Sequence, residues 1–463
     1  MRKLTDSRVK LGLWSGVGIV VANMIGSGVL TTPGFMAIDL APSHILFAWL
    51  VGGMLALCGV RAYAAVAEAI PRSGGEYRYL CELWHPALGY LAGWTSLLVG
   101  FSQPVALDAI AIGAFADTLA PGVNIRLVAT AAVVGVTAMH AFDLRTSKIS
   151  QNALVVVKFA LVLGFTAIGL VAGRNQFPGW APEAAQGGLP VEAFFGSLVF
   201  IMFCYSGWNA AIYASEEFAA PRRDVPRAML IGCATVMVLY LVVNWVFVAN
   251  LTPAHFSEWI HGDRDRITLG HVLMRELIGS GGAKIMSVVV IIVLVSATSA
   301  MTMIGPRVYA AMARDGFLPH VFAGTDGKPP LGALLLQSAV AVFCVWTQSF
   351  RGLLGTVGAV LTLMAALTAL GVVRMRFDAR FAHDRPDGTA LGAAAVFVGV
   401  AAWMLYFAFT SPLLNTAGVP GIGKVAAPLV WVVFVMLVTA IYYTWTKVTG
   451  GTRVATETRG GAK

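Results

Sequence analysis

The sequence predicts an all-α membrane protein of twelve transmembrane helices, arranged as a five-plus-five inverted repeat with helices 1 and 6 broken. Three observations carry this. The 463 residues are 58% hydrophobic and 12% charged, with a mean hydropathy of +0.77, which is too apolar for a soluble fold of this size. Apolar runs recur at about the 20 residues that a hydrocarbon core requires. Two of those runs, the first and the sixth, are interrupted by glycine and serine.

Twelve spans can be drawn, at about 11–38, 44–69, 86–118, 126–142, 149–173, 191–217, 227–251, 283–313, 331–347, 351–375, 390–411 and 425–446. An even count puts both termini on one side, and basic residues choose the side. With the N-terminus in the cytoplasm, 21 Lys and Arg fall inside against 8 outside, so both termini are expected to be cytoplasmic. Arg2, Lys3, Arg8 and Lys10 precede the first span, but no small-residue cleavage site follows a short apolar core, so this segment is expected to stay in the membrane. The net charge of +9 is scattered between apolar spans, where it orients the chain; it does not form a nucleic-acid surface. Cys58, Cys204, Cys233 and Cys344 lie in apolar runs and Cys81 in a loop, with no disulfide or metal spacing.

The first break is Met24-Ile25-Gly26-Ser27-Gly28-Val29. Glycine loses the most backbone freedom on ordering, so the helix opens here. Inside a bilayer, opened backbone is tolerated only against protein or a water-filled cavity, so the break is expected to line a site. The first half-helix ends in carbonyls that attract cations and the second begins with amides that attract anions, a pair suited to a zwitterion. The second break is Phe203-Cys204-Tyr205-Ser206-Gly207-Trp208-Asn209. Spans one and six open two five-span units. Because five is odd, the second unit enters from the opposite side, and the two breaks meet at the midplane. Close helix packing would also favour Gly26 and Gly28, but two matched breaks favour a site.

The loops carry less. Pro71-Arg72-Ser73-Gly74-Gly75-Glu76-Tyr77 reads as a turn into a short amphipathic surface segment ending at Leu83. A long external loop, about 252–282, holds His255, His261 and His271 at spacings that match no metal-ligand pattern. Glu216 and Glu217 beside Arg222 and Arg223 read as an interfacial charge cluster. Pro306 before Arg307 is a place for span eight to bend.

Several stretches resemble the amino acid-polyamine-organocation superfamily of transporters: Met24 to Gly34, Tyr205 to Asn209 with Glu216 to Ala228, Pro71 to Tyr77, Leu144 to Ser147 with Gln151, Asn152 and Lys158, and Ala311 to Pro319. The resemblance covers about residues 10–380. It implies the leucine-transporter-like fold and secondary transport of amino acids or related amines across the plasma membrane, the inner membrane of the cell. The implied layout is a cytoplasmic tail over 1–10, a transport core of helices 1–10 over 11–375, helices 11–12 over 376–446 and a second cytoplasmic tail over 447–463. By motif position, the amides of Ser27 and Gly28, next to Gly26, would hold the substrate carboxylate. The carbonyls of Met24, Phe203 and Ser206, beside Gly207, would hold its amino group. In sodium-independent relatives a lysine of span five takes the place of a sodium ion, and Lys158 matches it. Its ammonium is expected to reach the carbonyls of Ala22 and Ile25, with Ser299 as partner on span eight. Arg61 departs from the pattern and reads as a structural ion or one that snorkels to the interface.

Asp108, in the outer half of span three, is a candidate for side-chain selectivity together with Asn209. Facing the cavity it would favour a cationic substrate; packed between helices it would be structural. The expected function is sodium-independent amino acid transport by proton symport or exchange, the alternative a cationic amino acid or polyamine antiporter. No cofactor or metal is implied. The expected partners are the small-molecule substrate, membrane lipid and protons, without nucleic acid. A membrane-embedded enzyme would need catalytic groups clustered at one depth, and His140 stands alone in span four.

Overall fold

The computed structural model describes residues 10–141, 144–179, 181–251, 266–324, 330–410, 417–419, 423–425 and 427–448. Fifteen α-helices carry the described fold. They are α1 (Leu13–Met24), α2 (Gly28–Met36), α3 (Pro42–Ala69), α4 (Gly75–Leu83), α5 (Pro86–Thr95), α6 (Ser102–Leu119), α7 (Ile125–Ala141) and α8 (Leu144–Ala172). The rest are α9 (Val191–Tyr205), α10 (Pro221–Asn250), α11 (Leu269–Arg314), α12 (Leu331–Thr347), α13 (Phe350–Phe377), α14 (Gly388–Thr410) and α15 (Ala427–Val448). A π-helical turn, Ser96–Phe101, joins α5 to α6, and a 3₁₀ stretch, Ala210–Glu217, follows α9. The only strands among the described residues are Ala417–Val419 and Gly423–Val425, paired antiparallel.

Nine helical stretches among the described residues are long and apolar enough to cross a membrane. Three shorter apolar helices, Ile125–Ala141, Leu331–Thr347 and Pro428–Ile441, fall where spans four, nine and twelve were drawn. The amphipathic surface segment is α4, buried through Tyr77, Tyr79, Leu80 and Leu83.

One boundary changes. The loop expected over 252–282 is helical from Leu269 onward, because Leu269, Val272 and Leu273 bury one face at helical spacing. The departure from helical geometry in α11 lies at Gly279, where φ is +80°; the helix continues through Pro306. Of Gly279, Gly281 and Gly282, which lie in that expected loop, only Gly279 has a positive φ. His255 and His261 lie outside the described residues, and His271 Nδ1 pairs with Ser287 Oγ at 2.8 Å.

The start of the described chain is sewn to the end of the sixth span. Leu11 N–H donates to Glu217 O at 2.8 Å and Ala219 N–H to Leu11 O at 3.0 Å. Arg222 pairs with Asp384 at 2.8 Å and Arg223 with Asp224 at 3.1 Å, so these arginines do not simply face the neighbouring glutamates. Arg61 donates to Asp387 at 2.6 Å and to Thr389 at 3.1 Å, tying α3 to the start of α14 as a structural ion. All five cysteines are free.

Candidate functional site

The helix of the first span opens where the glycines stand. α1 ends at Met24, Ile25 turns to extended backbone (φ −77°, ψ 106°), and α2 starts at Gly28. The amides of Leu30 and Thr31 turn back to Ser27 O at 3.0 and 3.1 Å. That arrangement leaves the amides of Gly28 and Val29 without a backbone acceptor at the positive end of α2. The sixth span opens in the same way: α9 ends at Tyr205, Ser206 is extended, and Gly207 has φ +101°, a region that side chains with a Cβ avoid.

The two breaks cross in direct contact. A Cβ on Gly28 would lie 2.5 Å from Cys204 Sγ, and one on Gly207 would lie 2.8 Å from Asn23 O. Thr32 Oγ1 and Cys204 Sγ are 3.2 Å apart. Tyr240 of α10 pins the crossing, its hydroxyl reaching Met24 O at 2.6 Å and Cys204 O at 3.1 Å. One proton shared between two carbonyls stabilises both opened ends at once. Tyr240 was not singled out from sequence, where it reads as one more aromatic in an apolar run.

At the crossing a cavity of about 30 Å³ is lined by residues that include Met24, Gly26, Ser27, Gly28, Phe203 and Ser206. A second, of about 80 Å³, shares Asn23, Ser206 and Met301 with the first and extends past Gly207 and Asn209 to the π turn and Glu76. Six of the seven expected substrate-binding residues and Asp108 line the smaller cavity, Gly207 and Asn209 line the larger one, and Ser206 lines both. Met24 O already accepts from Tyr240, and Phe203 O accepts from Ser206 N–H at 2.9 Å, so each has one lone pair left for an ammonium.

Asp108 lines the smaller cavity and is only 4% exposed. It lies close enough to feel the amide and hydroxyl of Ser27 and the charge of Lys158, although no hydrogen bond of acceptable geometry reaches Ser27 Oγ. The acid therefore faces the broken helix as well as the cavity. Asp108 follows the π turn, and one extra residue per turn rotates the following side chains by about 100° relative to an unbroken α-helix.

Lys158, on α8 behind the break, is completely buried. Its Nζ donates to Ala22 O at 2.5 Å and Ile25 O at 2.7 Å, the carbonyl end of the first half-helix. The ammonium thus satisfies groups that the opened helix leaves without amide partners, and the half-helix dipole favours a cation there. Ser299 Oγ, expected as the span-eight partner of Lys158, lies 2.8 Å from His140 Nε2, company that the sequence did not reveal.

At similar coverage the chain resembles several mammalian transporters. It is 26% identical to b(0,+)-type amino acid transporter 1 of Mus musculus over 420 residues, 87% of this chain and 83% of that protein. It is 25% identical to large neutral amino acids transporter small subunit 2 of Mus musculus over 415 residues, 87% and 76% of the two chains. It is also 25% identical to Asc-type amino acid transporter 1 of Mus musculus over 430 residues, 89% and 78% of the two. With a family model described as amino acid permease matching residues 11–442, nearly all of the helical fold and both breaks, the chain belongs to the amino acid permease family.

Proposed function

We propose that this chain is a secondary transporter that carries amino acids across the plasma membrane without sodium, by proton symport or by exchange. In this reading it crosses the bilayer twelve times with both ends in the cytoplasm, the nine long helices being joined by the three shorter apolar ones. Helices 1–5 and 6–10 form the inverted repeat, and its two breaks hold the substrate. The carboxylate sits at the amides of Ser27 and Gly28, and the amino group at the carbonyls of Met24, Phe203 and Ser206. The names of the relatives and the crossing of two opened helices around one cavity support this assignment.

The observation that carries sodium independence is the contact of Lys158 Nζ with Ala22 O and Ile25 O. A tethered ammonium there fills the role of a bound cation and holds spans one and five together. The test is uptake of a panel of labelled amino acids into proteoliposomes, with sodium and the pH gradient varied separately, for wild type and Lys158→Ala. Uptake by the wild type is expected to be indifferent to sodium, and the variant to lose at least about tenfold in rate, because two carbonyls lose a charged donor. Sodium-dependent uptake, or a variant with unchanged rate and pH response, removes Lys158 from the mechanism.

Transport of cationic amino acids or polyamines is the second reading, favoured by Asp108 on the cavity wall. Competition between lysine and alanine for uptake separates the two.

A further inference from the structure

The larger cavity ends against a carboxylate whose oxygens are already engaged. Glu76 Oε1 accepts from Tyr63 O–H at 3.0 Å and from Asn209 Nδ2 at 2.5 Å, and Oε2 accepts from Tyr213 O–H at 2.7 Å. Three donors from α3 and the exit of the sixth span converge on it, as suits a group that only accepts. This arrangement fixes the amide of Asn209. Its NH₂ must point at Glu76, so Oδ1 points away and is the atom that Asn209 offers to the cavity it lines. Asn209 Oδ1 accepts no hydrogen bond among the described residues.

Three hydroxyls of the wall have the same bias. Thr95 Oγ1 donates to Leu91 O at 2.8 Å and Ser96 Oγ to Ala92 O at 2.9 Å, which leaves lone pairs facing inward. Thr362 Oγ1, also on the wall, is buried without a protein partner, and a buried hydroxyl left so is costly unless a ligand meets it. Phe101, Met301 and Ile304 supply apolar surface, and the described lining residues include no Lys, Arg or His.

We infer that this cavity receives a neutral substrate side chain bearing an O–H or N–H donor, a hydroxyl or a carboxamide, and that Glu76 is a positioning residue holding Asn209 Oδ1 toward it. The inference rests on the reading of the chain as an amino acid transporter. A cationic side chain fits less well, because an ion pair with Glu76 would displace a tyrosine or Asn209, and an ammonium left short of a carboxylate among apolar walls is costly. The space of about 80 Å³ has room for several water-sized groups, enough for the ends of serine, threonine or asparagine.

The test uses near-isosteric substrate pairs that differ in the donor, threonine with valine and asparagine with leucine. Their kcat/KM is measured by uptake into proteoliposomes, with lysine as the cationic arm and alanine as the internal reference. The wild type is expected to prefer the donor-bearing member of each pair by about tenfold. Glu76→Gln frees the Asn209 amide to turn over, and Asn209→Leu removes the acceptor. Each should compress the ratio to about twofold. A merely structural role for Glu76 would lower threonine and valine alike and leave their ratio standing. A flat ratio in the wild type, a preference for lysine over threonine, or unchanged ratios in both variants overturns the inference while leaving transport intact. If either variant fails to fold, the wild-type ratios and the other variant still decide. Failure to take up any amino acid overturns the transport reading, and this inference with it.

Discussion

Three glycines at the crossing differ in what a methyl group would meet, and this orders their substitution costs. At Gly26 an added Cβ has Ala297 Cβ at 3.9 Å as its nearest neighbour, an ordinary contact, so Gly26→Ala is expected to change stability by no more than about 0.5 kcal/mol. At Gly28 the Cβ would meet Cys204 Sγ at 2.5 Å, Cys204 Cβ at 3.1 Å and Cys204 Cα at 3.2 Å. The side chain can turn but the backbone beneath it cannot, so Gly28→Ala should cost about 1–3 kcal/mol, and Gly28→Val should abolish uptake. Gly207→Ala combines a Cβ 2.8 Å from Asn23 O with φ at +101°, adding about 1–2 kcal/mol of backbone strain to a similar overlap. Melting of the detergent-purified variants should therefore rank Gly26→Ala above Gly28→Ala above Gly207→Ala, with uptake measured alongside. Adding Cys204→Gly to Gly28→Ala removes the two nearest atoms and should recover at least half of the lost stability. A Gly28→Ala protein that melts and transports like wild type, or one more stable than Gly26→Ala, would refute contact between the two breaks.

Tyr240→Phe leaves Met24 O and Cys204 O without their shared donor and should cost about 1–3 kcal/mol in stability, with reduced uptake; no change in either refutes the pin. Asp108→Asn should lower lysine and alanine uptake in equal proportion, by about tenfold or more, because the acid faces Ser27 and Lys158; selective loss of lysine uptake would make it a counter-ion for cationic substrates. Between α13 and α14, the hydrogen bonds from Arg380 hold the carboxyl of Asp378 down at about 2. A depressed pKa stabilises the fold above the unfolded value near 4 and loses that contribution as pH falls toward 2. The pair is solvent-screened, so the melting difference between wild type and Asp378→Asn should reflect less than about 1 kcal/mol at neutral pH and vanish near pH 2; a difference that grows with acid contradicts it.

The two breaks were legible because glycine and serine inside an apolar run are locally wrong for a spanning helix, whatever surrounds them. A buried ammonium needs partners, but which carbonyls would meet Lys158 was legible only through its resemblance to the span-five lysine of sodium-independent relatives. Other features lay beyond the sequence because they depend on how helices are rotated against one another. Asp108 lies near Ser27 on the helix that follows the turn at Ser96–Phe101, and nothing in Ser-Leu-Leu-Val-Gly-Phe announces a π turn. Glu76 belongs to a segment read as a surface turn, yet it closes the cavity through donors 13, 133 and 137 residues away in the chain. The helical start of α11 falls inside the loop drawn over 252–282, because the burial of Leu269, Val272 and Leu273 that supports it depends on the neighbouring helices.

Lys158 also bears on where the energy for movement can come from. A cation joined to the chain by covalent bonds returns with the protein after every cycle and is never released into the other compartment. The carbonyls of Ala22 and Ile25 therefore keep their positive partner in fresh or saline medium alike, since dilution cannot strip it away. For the same reason, a steep salt gradient does no work through this contact: nothing dissociates on one side to be replaced on the other. A driving ion that is taken up on one side and released on the other has to be held somewhere other than these two carbonyls.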